Sequence, residues 1–353
     1  MSEVRTATGP GRVNLIGDHT DYNQGLALPL AIGLGVQVEF RPADRDEIEV
    51  TSTAFPSGAV IATTIAPDPD AIVAPPRPAW SRLVAAMVAL ARPDSGGTLH
   101  IGTTLPVGSG LSSSAALAVA LAEVFGVEGP PVVVARLCQE AERLTGVPVG
   151  AMDPLVCAGA HRDHALLIDF TTLATEQVPV PAGAGIVVVD SGYRRTLSDS
   201  PYALRVAECE AAAARIGPLG TAGPADLAGL RDPLLRRRAR HVVTECHRVR
   251  EVAAALGAGD LVAAGALMSE SHASLAEDFE STLPAVDDLV ADLVARPGVY
   301  GARMTGAGFG GCVVALTARG AVDPHGLATP AWTVTAVDGT VAARRDGDGA
   351  RTQ

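Results

Sequence analysis

The sequence predicts an α+β fold in two lobes, and three observations support this prediction. The chain has 353 residues, of which 48% are hydrophobic, so it can bury more core than one average domain holds. Patterns typical of strands and of helices alternate over residues 1–180, and helical patterns dominate residues 181–353. We place the boundary between the lobes at the run PAGAG, residues 181–185. The expected lobes are therefore 1–180 and 181–353.

In the first lobe, β-branched and alternating runs predict strands, and apolar residues at helical spacing predict helices. Residues 4–30 should form an extended entry, a turn and further strand, and the proline-dense stretch 67–78 should form a loop. The other expected strands are 36–40, 48–51 and 98–105, and the expected helices are 80–90, 112–125 and 132–144. In the second lobe the same reasoning predicts strands at 186–190 and 313–316 and helices at 202–216, 241–256, 260–272 and 284–295.

Charge and composition restrict the class of partner. The formal net charge is −12, whereas nucleic acids and anionic membranes are bound by basic surfaces. The N-terminus lacks an apolar secretory region, and no apolar run is long enough to span a bilayer. The five cysteines are scattered singly, without metal-ligand spacing. We therefore expect a cytoplasmic, monomeric protein with a small-molecule substrate and no nucleic-acid or membrane partner.

The sequence contains no lysine, which excludes the lysine-dependent P-loop as a phosphate site. Phosphate would have to be held by backbone amides, arginine and a metal ion. A glycine-serine turn that opens a helix offers such a site, because the first helical N–H groups lack partners within the helix. An ordinary helix with a serine cap is the alternative, and a hydrolase nucleophile is disfavoured because the GxSxG pattern is absent. The segment reads Gly108-Ser109-Gly110-Leu111-Ser112-Ser113-Ser114-Ala115-Ala116.

Residues 11–23 concentrate polar groups between apolar stretches. Arg12, Asp18, His19, Thr20 and Asp21 supply a cation, two carboxylates, an imidazole and a hydroxyl, which suits a polyhydroxylated ligand. A solvated loop is the alternative. A metal site is the weakest interpretation, because a second histidine at ligand spacing is missing.

Two further segments contain glycine. In GVPVGAMDP, residues 146–154, Asp153 lies in an apolar, restricted turn, where its charge requires compensation by a cation such as Arg12. It is a candidate catalytic group, with a turn aspartate or helix cap as the alternative. Residues 306–311 satisfy GxGxxG, but a strand follows them instead of a helix. A tight turn packed near the phosphate loop is predicted there, and dinucleotide binding is not.

In this order, these segments resemble the GHMP kinase superfamily, and within it the galactokinase family. The resemblance is carried by GRVNLIGDHTDYNQGLALPLAI, LPVGSGLSSSAALAVAL and RMTGAGFGGCVVAL, with support from DSGYRRTLSDSPYALRVAECEAA and LMSESHASLAEDFESTLPAVDDLV. It implies the two-lobed GHMP kinase fold with the active site in the cleft between the lobes. It also implies ATP-dependent phosphorylation of a sugar at C1, with galactose as the sugar and Mg²⁺ as cofactor.

The resemblance also implies roles for individual residues. Asp153 would be the catalytic base, with Arg12 beside it, and Trp80 would contact adenine. The hydroxyl of Ser114 and the carboxylate of Glu142 would bind Mg²⁺. The ATP phosphates would be held by Gly108, Ser109, Gly110, Leu111, Ser112, Ser113 and Ser114. The sugar would be lined by Asp18, His19, Thr20, Asp21, Gly150, Arg194 and Tyr202.

Four departures from the family pattern affect details of the substrate and nucleotide sites. Asp18 stands where galactokinases usually have a glutamate that contacts the C6 hydroxyl, Pro154 stands in place of glutamine, and Leu83 in place of an aromatic residue. The segment between Glu142 and Asp153 is one residue shorter than usual. A sugar 1-kinase for arabinose or N-acetylgalactosamine and a non-catalytic sugar sensor remain as alternatives.

Overall fold

The computed structural model describes residues 3–74, 77–106, 108–146, 150–193 and 201–343. The strands are β1 (Arg5–Asn14), β2 (Leu26–Ala27), β3 (Pro29–Ala43), β4 (Glu47–Ser52), β5 (Ala59–Ala62), β6 (Gly96–Thr103), β7 (His164–Asp169), β8 (Ala174–Pro179), β9 (Ala184–Asp190), β10 (Val299–Thr305), β11 (Cys312–Ala318) and β12 (Ala331–Val334). The helices are α1 (Pro69–Val73), α2 (Arg82–Ala91), α3 (Ser113–Val124), α4 (Pro131–Leu144), α5 (Met152–Gly159), α6 (Tyr202–Ile216), α7 (Pro233–Ala258), α8 (Leu261–Glu277) and α9 (Pro284–Val294).

The first sheet has the strand order β1-β3-β6-β4-β5, in which only the β4–β6 pair is parallel. Helices α3 and α5 both contact β1. Glycine makes the close approach of α3 possible, because a Cβ on Gly9 would lie 1.8 Å from the carbonyl oxygen of Ala116. The strand that carries Arg12 therefore runs directly beside the helix that follows the glycine-serine segment.

The second sheet, of order β10-β11-β9-β12, is antiparallel throughout and separates two hydrophobic cores. Alternate side chains of β9 point to opposite faces, as the two-residue period of a strand requires. Val188 belongs to the core shared with the first sheet, whereas Val187 and Val189 belong to the core under the second-half helices. A third sheet has three strands in the order β2-β7-β8.

The last described residues return to the first half of the chain. The N–H of Val337 donates to the carbonyl oxygen of Ala31 at 3.1 Å, and that of Gly339 donates to Ala160 at 2.7 Å. Sheet pairing and packing thus join the first and last described residues to the first core. The division at residues 181–185 stays a prediction.

The α+β class and most predicted elements are confirmed. The expected helices at 112–125, 132–144 and 202–216 correspond to α3, α4 and α6, and the expected strand at 186–190 lies within β9. The prediction of a loop over 67–78 was wrong in part, because Asp68 accepts the N–H of Asp70 and starts the short helix α1. Strands β5, β7, β8, β10 and β12 were not predicted.

Asp153 does not lie in an isolated turn. It is the second residue of α5, and Pro154 is the third. Proline is tolerated in the first turn of a helix, because the N–H that it lacks would have no partner within the helix there. Among the residues that the structure describes, no helix is long and apolar enough to cross a membrane.

Candidate active site

The glycine-serine loop reverses direction through left-handed residues before α3 begins. Gly108, Gly110 and Ser112 have φ values of 73°, 76° and 62°. Glycine adopts this conformation freely, whereas serine does so at a cost. Ser113 and Ser114 then form the exposed first turn of α3, while Leu111 is buried. This arrangement leaves the first N–H groups of the helix open to an anion.

Arg12 and Asp153 form a two-point ion pair beside this loop. Nε of Arg12 donates to Oδ1 of Asp153 at 2.7 Å, and Nη2 donates to Oδ2 at 2.8 Å. The Arg12 side chain is 7% exposed and that of Asp153 is 27% exposed, so the carboxylate remains open to a ligand. Burial lowers the pKa of Arg12, but the charge of Asp153 and its hydrogen bonds outweigh burial and leave that pKa raised.

The glycine-serine loop contacts the same arginine through its backbone. Nη1 of Arg12 donates to the carbonyl oxygen of Gly110 at 2.7 Å, and the Arg12 backbone N–H donates to Leu111 at 3.2 Å. A Cβ on Gly11 would lie 2.9 Å from the Leu111 oxygen, so glycine is required for this approach. The ion pair and the glycine-serine loop therefore form one structural unit.

Glu142 lies close to Ser114, as the resemblance implied for a metal site. The two side chains are hydrogen bonded, and Glu142 is almost fully buried on α4. Burial raises the pKa of Glu142 to about 7, with a smaller contribution from the charge of Asp153. Its Oε1 has no hydrogen-bond partner within the described part of the chain. Helices α3 and α4 therefore bring the Ser114 hydroxyl and the Glu142 carboxylate together.

The loop between β1 and β2 is held by its own hydrogen bonds. Thr20 Oγ1 lies 2.8 Å from the carbonyl oxygen of Gly17 and 2.7 Å from that of Leu26. The Asn23 amide donates to the carbonyl oxygen of His19 at 2.7 Å, and His19 adopts a left-handed conformation with φ 64°. The hydroxyl of Thr20 thus faces the main chain and fixes the loop.

His19 and Tyr202 meet in an aromatic cluster, although they are far apart in the sequence. The His19 ring lies 4.3 Å from that of Phe279 and 5.8 Å from that of Tyr202, measured between centroids. Its Nδ1 is 3.0 Å from the hydroxyl of Tyr22. Helix α6 therefore brings Tyr202 to the predicted sugar loop.

Asp21 faces Gly150 across the same region. A Cβ on Gly150 would lie 2.1 Å from Oδ2 of Asp21, so only glycine leaves room for this carboxylate. The pKa of Asp21 is raised to about 6, mainly by burial and also by the negative charges of Asp153 and Asp18, against the backbone hydrogen bond from Tyr22. The carboxylates of Asp21 and Asp153 are thus close enough to repel each other electrostatically.

Asp18 is buried, and both of its carboxylate oxygens have partners in the protein. Oδ1 accepts Asn14 Nδ2 at 2.7 Å and the N–H of Gly306 at 3.3 Å, and Oδ2 accepts Arg303 Nη2 at 2.8 Å. Sequence reasoning did not identify Arg303, which lies on the unpredicted strand β10. The residues next to Arg303 in the sequence do not indicate that it is buried against a distant aspartate.

Glu245 and His241 on α7 support the same loop and were also not identified from the sequence. Glu245 accepts the N–H of Gly17 at 3.0 Å, and His241 Nε2 lies 3.2 Å from the carbonyl oxygen of Asp18. Burial opposes ionisation of Glu245, but His241, Arg303 and Arg248 outweigh it and lower its pKa to about 2. Burial lowers the pKa of His241, and the negative charge of Glu245 opposes this shift. Helical spacing predicted that both residues lie on a helix, but it did not indicate which groups they contact.

Trp80 lies in a short 3-10 turn before α2 and stacks on Phe55. The ring centroids are 5.4 Å apart, with an angle of 6° between the planes, and Phe55 is exposed. Nε1 of Trp80 is buried and lacks a hydrogen-bond partner among the described residues. Phe55, from another part of the chain, thus supplies the aromatic neighbour of Trp80.

The residue after the glycine turn at 306–311 contacts the glycine-serine loop, whereas the glycines of the turn itself pack against Ser281 and Tyr193. Sγ of Cys312 lies 3.1 Å from the carbonyl oxygen of Ser109. A Cβ on Gly308 would lie 2.5 Å from the Ser281 oxygen, and one on Gly310 would lie 2.6 Å from the Tyr193 oxygen. These contacts explain the glycines without a dinucleotide.

The structure thus brings together Arg12, Asp153, Ser112, Ser114 and Glu142, and it places the loop between β1 and β2 next to them. Arg194 lies outside the described residues. The described part of the chain contains no group of three or more His, Cys, Asp and Glu side chains placed to hold a metal ion.

Comparisons with known proteins agree with this arrangement. The model of the galactokinase galactose-binding signature matches residues 2–42, and the GHMP kinase N-terminal and C-terminal models match residues 81–160 and 252–323. A galactokinase of Roseiflexus sp. (strain RS-1) is 40% identical, covering 96% of this chain and 90% of its own. A human galactokinase is 38% identical, covering 91% of this chain and 85% of its own.

Solved structures extend the comparison to the fold. The crystal structure of Lactococcus lactis galactokinase complexed with galactose has a TM-score of 0.85 and 32% identity, covering 97% of this chain and 95% of that one. A mevalonate kinase has a TM-score of 0.66 at 17% identity, which shows the fold alone. The paired arginine and aspartate of this chain lie beside the glycine-serine loop and near the loop between β1 and β2. With these relatives, the chain belongs to the galactokinase family of GHMP kinases.

Proposed function

We propose that the protein transfers the γ-phosphoryl group of ATP to the C1 hydroxyl of galactose, giving α-D-galactose 1-phosphate. The observation that carries this proposal is the Arg12–Asp153 pair, which is joined by hydrogen bonds to the phosphate loop and lies near the sugar loop. The relatives' names and the galactose-bound neighbour support galactose as the sugar.

In the proposed reaction, Asp153 accepts the proton of the sugar C1 hydroxyl. The sugar oxygen forms a bond to the γ-phosphorus as the bond from that phosphorus to the bridging oxygen breaks, and ADP leaves with the electron pair. Phosphoryl transfer of this kind requires mainly positioning and charge stabilisation. Arg12 supplies both, because it holds Asp153 at two points and places a positive charge beside the phosphate loop.

Ser114 and Glu142 fit a bound Mg²⁺. The buried, unpartnered Oε1 of Glu142 and the neighbouring serine hydroxyl are oxygen donors, which Mg²⁺ prefers. Two protein ligands suffice for Mg²⁺, because phosphates and waters complete its coordination. When bound, the ion neutralises charge on the phosphates.

Asp21, His19 and Tyr202 are proposed to line the sugar, with Gly150 leaving space for Asp21. The Asp21 carboxylate can accept hydrogen bonds from two sugar hydroxyls, and the aromatic cluster offers an apolar surface to the ring's C–H groups. Asp18 has protein partners on both oxygens, so we infer that it shapes the pocket near C6 through the loop or through water.

Because protein groups hold both oxygens of Asp18, a second candidate function is a 1-kinase for a sugar that differs from galactose at C6. The test of both is ADP release measured with ATP and a panel of free sugars: galactose, fucose, arabinose, galacturonate and N-acetylgalactosamine. Galactose should give the highest kcat/KM, and Asp153→Asn should abolish most of that activity. A higher kcat/KM for another sugar would identify that sugar as the preferred substrate. No stimulation by any sugar would reject the kinase proposal and favour a non-catalytic sensor.

A further inference from the structure

Ser112 occupies the position before α3 where a serine hydroxyl usually accepts an N–H of the first helical turn. Its hydroxyl makes no such bond. It donates instead to Oδ2 of Asp153, across 41 positions of sequence. The backbone of Ser112 is left-handed, with φ 62° and ψ 46°, which a residue with a Cβ adopts only when its surroundings hold it there. The Ser112 hydroxyl thus contacts Asp153 instead of capping the helix.

The hydrogen bond of Ser112 changes the acceptor capacity of Asp153. A carboxylate oxygen has about two lone-pair positions. Oδ2 accepts both Arg12 Nη2 and Ser112, whereas Oδ1 accepts only Arg12 Nε among the described residues. One acceptor position therefore remains, and it is on Oδ1.

Ser112 also belongs to the loop that would hold the nucleotide phosphates. The preceding residues of this loop, Gly110 and Leu111, accept hydrogen bonds from Arg12. One short segment therefore contacts both members of the ion pair. A displacement of this segment would disturb the base and its cation together.

We propose that Ser112 is a positioning residue for the base: it saturates Oδ2 of Asp153 and reserves Oδ1 for the proton of the sugar C1 hydroxyl. The inference rests on the proposed sugar kinase function. It goes further by giving one serine of the phosphate loop a role toward the base, distinct from any role toward the nucleotide.

The test is a double-mutant cycle between Ser112→Gly and Asp153→Asn. Glycine removes the hydroxyl and adopts the left-handed backbone freely, so the variant should fold. Loss of one hydrogen bond to a charged group should lower kcat on the order of 10-fold in the natural background, with KM for ATP changed by less than about 3-fold. In the Asp153→Asn background the same substitution should change the rate by less than about 2-fold, because the carboxylate that it serves is absent.

The rates are measured as labelled sugar phosphate formed in single turnovers, with enzyme in excess over labelled ATP, so that the slow variants remain measurable. Ser112→Ala serves as a second removal of the hydroxyl and should give the same coupling. Ser113→Gly is the matched comparison, because Ser113 is the next residue, the first of α3, and its side chain is exposed. Its effect should be equal in both backgrounds.

An equal fall for Ser112→Gly in both backgrounds would overturn the proposal, and so would an effect on KM for ATP with kcat unchanged. Both results leave an active sugar kinase. Failure of the proposed function is a different outcome, in which the natural protein forms no sugar phosphate at all.

Discussion

Replacing Arg12 by lysine tests how much of the site depends on a planar cation. Arg12 donates from Nε and Nη2 to Asp153 and from Nη1 to the carbonyl oxygen of Gly110. A lysine ammonium is a single point of charge and cannot span the carboxylate and the carbonyl in this geometry. Arg12→Lys should therefore keep one of the three bonds and lose two.

The expected size of the effect follows from those two bonds. Each hydrogen bond that involves a charged group contributes roughly 1.5–3 kcal/mol, and the lower value applies because the Asp153 side chain is 27% exposed. Two bonds then amount to about 3 kcal/mol, which is a fall in kcat/KM of about 10²-fold.

The assay is steady-state formation of sugar phosphate at saturating ATP, with circular dichroism to verify folding. Arg41→Lys is the matched control, because Arg41 pairs with Glu39 on the exposed face of β3 and is 60% exposed. Its substitution should leave kcat/KM unchanged. A loss of less than about 5-fold in a folded Arg12→Lys protein would refute the reasoning, because positive charge alone would then suffice.

Three further predictions concern the carboxylates. Because the pKa of Asp21 is raised to about 6, KM for the sugar should rise as the pH falls through 6 and Asp21 becomes neutral, and Asp21→Asn should remove this pH dependence; a natural KM that is constant from pH 8 to pH 5 would contradict the role. Ser114→Ala and Glu142→Ala should each raise the Mg²⁺ concentration for half-maximal rate, and an unchanged value for Glu142→Ala would point to another acid. Asp18→Glu adds about 1.5 Å to a buried carboxylate that Asn14, Gly306 and Arg303 already hold, so it should displace the loop and change the kcat/KM ratios of galactose to fucose and arabinose; unchanged ratios would show that Asp18 does not shape the pocket near C6.

Local patterns were sufficient for much of the fold. The serines at its start predicted helix α3, and the run of valines predicted β9, because both elements are determined by nearby residues. Strand β10 was missed because Gly301 and Arg303 interrupt its apolar pattern, although Arg303 is fully buried. Its burial depends on Asp18, which is 285 positions away.

The candidate site divides in the same way. Arg12 and Asp153 were paired from chemistry, because a carboxylate in an apolar segment needs a cation, and the structure places them in contact. The supporting residues Glu245 and His241 could not be identified, because helical spacing reveals a buried face but not its partner. The donation from Ser112 to Asp153 depends on a left-handed backbone that no local serine pattern specifies.

The most direct test of the proposed chemistry is the formation of galactose 1-phosphate by the natural protein and by Asp153→Asn. Phosphorus NMR of a reaction with ATP, Mg²⁺ and galactose identifies the phosphorylated position, and the initial rate gives kcat. The natural protein should form the 1-phosphate, and Asp153→Asn should lower kcat by about 10²- to 10⁴-fold, with a smaller effect on KM for ATP. Near-normal turnover by a folded Asp153→Asn protein would contradict the assignment of Asp153 as the base.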